Sequence, residues 1–135
     1  LYDLTAPPSR NTIRPIMSKD TKTELLSLYF RFTALTDSLK GLYGGAELTP
    51  DIEALLQVLC AHWHAGSPLS VRQVMQFERL GSSATIFKRL KRLRQMDLVM
   101  LLEAPDDPRK RQIVPTTRAL DYFSSQALAI RAASA

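Results

Sequence analysis

The stretch Leu69–Arg94, LSVRQVMQFERLGSSATIFKRLKRLR, leaves few folds open to this chain. Its apolar residues recur at helical spacing on both sides of a glycine, so it reads as two helices joined by a tight turn. The first is expected over about Ser70–Phe77, with Ser70 as N-cap and Val71, Val74, Met75 and Phe77 as its apolar residues. Gly81 permits the reversal. Ser82 or Ser83 supplies a hydroxyl to cap the second helix, which should run to about Met96. At about 100° per residue, Ile86, Leu90 and Leu93 fall on one face of it, with Phe87 on the flank. Ala84, Thr85, Lys88, Lys91 and Arg92 fall on the other.

Charge says what that second face is for. The 135 residues carry 18 Lys+Arg and 13 Asp+Glu, a formal net charge of +5. Residues 72–94 hold seven of the cations against the single anion Glu78, while the remaining 11 cations and 12 anions nearly cancel. A solvated face on an ordinary amphipathic helix is the competing reading. A basic excess confined to one helix-turn-helix fits a polyanion partner better.

Composition is that of an ordinary globular chain, 45% apolar and 23% charged, and its length suits one domain. The single cysteine, Cys60, excludes an internal disulfide framework, and no Cys/His spacing suits zinc, so no metal or cofactor is expected. Cys60 and His64 lie four apart and share a helix face, but Cys60 falls on an apolar stripe, where free cysteine behaves as a small hydrophobe. His62 and His64 are read as structural too. No run approaches the ~20 apolar residues of a membrane span. The first residues lack the pattern of a signal peptide, so the expectation is a cytoplasmic protein with no membrane partner. A Gly-rich phosphate loop, a metal cluster and paired carboxylates beside a nucleophile are all missing, and no enzyme is expected.

Residues 1–17 contain three prolines and no sustained period, and read as an N-terminal arm. Residues 18–135 read as a single domain. Within it, 18–48 is the first dimerisation segment, expected to be helical from about Ser18 to Leu42, before Gly44-Gly45 stop it, with Leu25, Leu28, Tyr29, Phe32, Leu35 and Leu39 on one stripe and Leu26 and Phe30 on a second. A helix apolar on two sides needs two things to pack against, and a homodimer supplies the second. Thr49 as cap, Pro50 at the first position and Asp51 and Glu53 in the first turn mark the start of a core helix. That helix carries Ile52, Leu55, Leu56, Leu59, Cys60 and Trp63. After the basic helix come two β-favourable runs, Leu98–Glu103 and Gln112–Pro115, around a turn-rich loop with basic residues, which makes a hairpin wing. Thr116 or Thr117 then caps a final helix, 116–135, in which Leu120, Phe123, Ala127 and Ile130 share a face. The fold class is mainly α with a small β-hairpin wing. It is a winged helix-turn-helix, 49–115, between long N- and C-terminal dimerisation helices.

This order, and the sequence from Pro50 to Phe123, resembles the MarR family of bacterial winged-helix regulators. Leu93, Asp97, Leu98 and Val99 stand where that family shows Leu-x-x-x-Gly-Leu-Val. Asp107 and Arg109 stand at its Asp-x-Arg, and Pro115, Thr116 and Ala119 at its Leu-Thr-x-x-Gly. Asp97, Pro115 and Ala119 depart from the pattern and mark a divergent member. The resemblance implies a homodimer on a pseudo-palindromic operator in double-stranded DNA, with the basic helices in successive major grooves about 34–36 Å apart. It also implies that Arg109 enters the minor groove, steadied by Asp107, with Lys110 or Arg111 on the flanking backbone. Many members bind a small aromatic acid or sense oxidants; Trp63, Tyr29 and Arg31 are candidates for an effector pocket here, with core packing the better reading of Trp63.

The residues themselves give the remaining expectations. Ser82, Ser83, Ala84, Thr85 and Lys88 are the base-facing candidates, Lys88 for guanine and Ala84 and Thr85 for a thymine methyl. Arg72, Lys91 and Arg92 are phosphate candidates. Leu25, Leu26, Tyr29, Phe30 and Phe123 are assigned to the dimer interface. The function expected is sequence-specific transcriptional regulation. Plasmid replication or partition, nucleoid organisation, and a protein-docking winged helix are the alternatives.

Overall fold

The computed structural model describes residues 18–134, and the expected N-terminal arm lies outside them. Its element order is the one expected from the sequence. Helix α1 spans Lys19–Leu42, α2 Pro50–His64, α3 Val71–Val74 and α4 Ser83–Gln95. Strands β1, Val99–Glu103, and β2, Arg111–Pro115, follow, and α5 spans Thr117–Ser134.

The helix starts are set by the residues that mark them. Ser18 caps α1 by accepting from the Thr21 amide at 3.1 Å. Thr49 caps α2 with Pro50 at its first position. Ser70 and Gln73 form a reciprocal capping box on α3, at 3.1 and 2.9 Å. Ser82, not Ser83, caps α4. Thr116 Oγ1 accepts from the Ala119 amide at 3.2 Å and opens α5. Each such cap satisfies an amide that would otherwise lack a partner, a contribution of about 1 kcal/mol.

Two expectations need correction. The helix predicted over Ser70–Phe77 closes after Val74. Gln76 donates to Gln73 and Phe77 to Val74, so the chain tightens into i→i+3 bonds and then a 3-10 turn over Glu78–Leu80. That tightening turns Phe77 onto His62, edge to face at 5.8 Å. The face of α5 that is buried holds Ala119, Tyr122, Ala129 and Ala133 rather than Leu120, Phe123, Ala127 and Ile130. Alanines let α5 lie close to its neighbours, and Tyr122 enters the core because its hydroxyl finds a partner there.

The core gathers around α2. Leu55, Leu56 and Leu59 pack with Val74 of α3, Ile86, Leu90 and Leu93 of α4, Ile113 of β2 and Tyr122 of α5. Each fully buried leucine contributes about 1.5–3 kcal/mol. The strands pair antiparallel, Val99 opposite Pro115 through Glu103 opposite Arg111. The hairpin is tied to the helix-turn-helix by the Ile113 amide donating to Leu69 O at 2.8 Å and by a Ser70–Gln112 bridge.

Two backbone positions explain the joints. Asp97 has φ +58° between α4 and β1, with Leu98 N donating to Leu93 O as in a glycine-closed helix end. It stands where the MarR pattern has glycine, and aspartate is among the residues that tolerate this region. Gly44, just after α1, has φ +143°, and a Cβ there would sit 2.5 Å from the Met96 methyl at the end of α4.

Helix α1 is different from the rest. It packs along α5, yet none of its 24 residues is buried within the chain. Leu26, Tyr29, Phe30 and Leu42 are exposed, and Leu128 and Ile130 extend this apolar surface on α5.

Candidate nucleic-acid interface

Helix α4 presents opposite chemistry on its two sides because the sequence alternates at helical period. Ile86, Leu90 and Leu93 are at most 3% exposed and fix the helix to the core. Its outer surface carries Ser83, Ala84, Phe87, Lys88 and Lys91, all exposed.

The candidate side chains do not all stand equally open. Ser82 Oγ accepts from the Thr85 amide and donates to Thr85 Oγ1 at 3.0 Å. Ser83 Oγ donates to Met75 O at 3.3 Å, joining α4 to the end of α3. Thr85 is half-buried, and its methyl faces Gly81, 3.3 Å from where a Cβ would stand. Arg89 donates to Leu80 O at 2.8 Å and pairs with Asp51 at 3.4 Å. Arg92 pairs with Glu47 at 2.8 Å and donates to Gln95 at 3.3 Å. One flank of α4 is therefore bound to the protein's own turns. Among the described residues, no ion pair holds Lys88 or Lys91, on the open side.

The wing supplies the second set of cations. Ala104 N donates to Lys110 O and Lys110 N to Asp107 O, closing the loop between the strands. Asp107 Oδ1 accepts the Arg109 amide at 3.0 Å and lies 3.8 Å from Arg109 Nε. The Arg109 side chain is 95% exposed, so the aspartate shapes the loop while the guanidinium projects from it. Arg72 of α3, Arg109, Lys110 and Arg111 surround an open groove of about 640 Å³ between the start of α3 and the wing. Sequence reasoning placed Arg72 and the wing in separate roles; the Ser70–Gln112 bridge is what brings them together.

The effector candidates do not converge. Tyr29 lines a cavity of about 310 Å³ between α1 and α5. Trp63 lines another of about 460 Å³ between α2 and α5, with Cys60, His64, Leu120 and Phe123. Phe123, assigned to the dimer surface from sequence, is half-buried here against Tyr122 at 5.4 Å. Arg31 borders neither cavity. Burial pushes the Cys60 thiol up to about 11, which keeps it protonated near neutral pH. Among the described residues, no three His, Cys, Asp or Glu side chains cluster as metal ligands, and no helix is long and apolar enough to cross a membrane.

What sequence reasoning missed is a polar junction beneath the interface. Glu53 of α2, 8% exposed, meets Lys40 of α1 at 2.6 Å, and Tyr122 of α5 donates to it at 2.8 Å. Gln126 adds a longer bond at 3.5 Å. Burial pushes the Glu53 carboxyl up, but the bonds from Lys40 and Tyr122 and the Lys40 charge outweigh it and hold the group below its ordinary value. The same burial and the Glu53 carboxylate push Tyr122 well above the usual phenol range. Next to it Tyr43 stacks on Tyr122 at 5.2 Å, and the Arg118 guanidinium lies 5.4 Å from the Tyr43 ring.

No protein-family model and no curated protein sequence matches the chain. Solved structures do resemble it. S. aureus MepR bound to ethidium bromide superposes with a TM-score of 0.63 at 15% identity, over 87% of this chain and 79% of that one. The transcriptional regulator Tm0710 from Thermotoga maritima gives 0.55 at 16% identity, over 85% and 75%. YusO from Bacillus subtilis gives 0.53 at 19% identity, over 93% and 80%. At these identities the likeness establishes the fold.

Proposed function

We propose that this chain, whose fold is that of the MarR winged-helix regulators, is a DNA-binding transcriptional regulator that works as a homodimer. The observation that carries the reading is the open side of α4. Lys88 and Lys91 stand exposed on a helix anchored by Ile86, Leu90 and Leu93, while neighbouring Arg89 and Arg92 are engaged within the protein. Such a helix lies in a major groove with its N-terminal half toward the bases and its cations toward phosphates. Arg109 then reaches the adjacent minor groove, and Arg72, Lys110 and Arg111 meet the backbone beside it.

The dimer rests on α1. A 24-residue helix that packs along α5 yet has no fully buried position leaves apolar surface for a second partner. Leu26, Tyr29, Phe30 and Leu42, with Leu128 and Ile130, offer the self-complementary apolar surface of a twofold interface. The cavity between α2 and α5 is the candidate effector site. MepR, which shares the fold, has been solved bound to ethidium bromide.

Fluorescence anisotropy on mixed-sequence duplex across a salt series tests the reading, with Lys88→Ala/Lys91→Ala alongside. Binding that is micromolar or tighter, falls steeply with salt and weakens in the double variant supports it. Absence of binding at low salt overturns it and leaves a protein-docking surface.

A further inference from the structure

We infer that Phe87 is a specificity-determining residue that reads the C5-methyl group of thymine in the major groove. The inference rests on the DNA-binding reading above and goes further by naming what one side chain recognises.

Phe87 is 57% exposed, although it lies one residue from fully buried Ile86. Among the described residues the other exposed aromatics, Tyr29 and Phe30, stand on α1, within the apolar surface the dimer would cover. Among the described residues, Phe87 has no such cover. At about 100° per residue, Phe87, Lys91, Ala84 and Lys88 share roughly 100° of arc. The opposite flank is closed, because Thr85 turns its methyl to Gly81 and Arg89 and Arg92 are tied to Asp51 and Glu47. Thr85, expected from sequence to meet a thymine methyl, is thus committed locally, and Phe87 is the large apolar group on the open side.

The surroundings choose the occupant. Phe87 stands at one edge of that arc, beside buried Leu90, and Lys91 and Lys88 follow it around the open side, which favours a polyanion over an apolar protein surface. On duplex DNA the apolar feature of the major groove is the thymine methyl, and phenylalanine is one of the side chains that contacts it. A phenyl ring neither donates nor accepts, so it cannot separate the bases by hydrogen-bond pattern. What it can sense is whether a methyl is present. Burying one such group against the ring is worth about fourfold in affinity.

The test uses the full chain. A duplex enriched from a random library by the wild-type protein is resynthesised with each thymine in turn replaced by deoxyuridine, which removes only the methyl. Wild type is expected to lose about fourfold at one or two positions per half-site, and Phe87→Ala to lose less than twofold at the same positions. Melting of the variant checks that it is folded, which its exposure predicts. Equal losses in both proteins, or no loss in wild type, would overturn the assignment and make Phe87 a contact to sugar or protein. If no duplex is enriched, the DNA-binding reading itself fails and the Phe87 assignment falls with it.

Discussion

The Tyr122 hydroxyl donates to Glu53 Oε1 at 2.8 Å while Lys40 Nζ holds Oε2 at 2.6 Å, so one carboxylate joins α1, α2 and α5. The helices assigned to the dimer and the central helix of the winged domain meet on a single side chain. A buried carboxylate whose partner is removed keeps its desolvation cost, so this junction is sensitive to each of its members. Tyr122→Phe should cost about 1.5 kcal/mol in urea unfolding. The effect also has a pH signature. Glu53 is held below its ordinary 4.5, so its contribution is complete above that value and is lost as pH falls through the lower folded value. The stability gap between wild type and Glu53→Gln should therefore be present at pH 7 and shrink at pH 3. A gap of equal size at both would mean that Glu53 matters only by shape.

Arg109 projects from the wing with its side chain 95% exposed. Arg109→Ala should leave the melting temperature unchanged and weaken DNA binding more than tenfold at moderate salt. A change within twofold would remove the wing from the interface. Asp107→Ala should give a smaller loss, because Asp107 shapes the loop through the Arg109 amide.

Asp97 holds a left-handed conformation, φ +58°, at the joint between α4 and β1. Asp97→Gly should melt at or above wild type. Asp97→Val should lose about 1–2 kcal/mol, since a branched side chain fits this region worst. Differential scanning calorimetry on the two variants gives the order directly, and a tolerated valine would contradict it.

The Cys60 thiol, buried and raised to about 11, should react slowly with a thiol reagent at pH 8 in the folded protein and rapidly in denaturant. Fast stoichiometric labelling of the native chain would reopen a redox role.

Leu26 and Phe30 are the exposed second stripe of α1. Leu26→Glu/Phe30→Glu should convert a dimer to a monomer by light scattering while helical circular dichroism is largely kept. A wild-type chain that is monomeric at tens of micromolar would remove the dimer from the proposal.

The fold was legible because its signals are local. Thr49-Pro50 and Ser70-x-x-Gln73 announce helix starts, and the spacing of Ile86, Leu90 and Leu93 orients α4 whatever surrounds it. The misses all depend on distant partners. Tyr122 lies off the apolar face that spacing predicts for the final helix, and its partner, Glu53, is 69 positions away. Glu53 in turn looked like a first-turn anion placed for the helix dipole. The early end of α3 could not be read because Val71, Val74, Met75 and Phe77 fit a longer helix, and the edge-to-face contact of Phe77 with His62 goes with the tightened turn. In the candidate site, sequence put Thr85 and Arg92 on the outer face by angle alone. Angle does not reveal that Gly81 and Glu47 stand beside them. Phe87 was visible as a flank residue, but its exposure was not.

Gly44 and Met96 touch where α1 ends and α4 ends, with no room between them for even one more carbon. In a dimer built on α1, that contact would couple the shared stem to both reading helices through a flexible methionine side chain, a sprung joint rather than a locked one. Inserting or deleting a single base pair between half-sites would rotate one half-site by about 35°, and the stem would have to tilt against this joint to follow it.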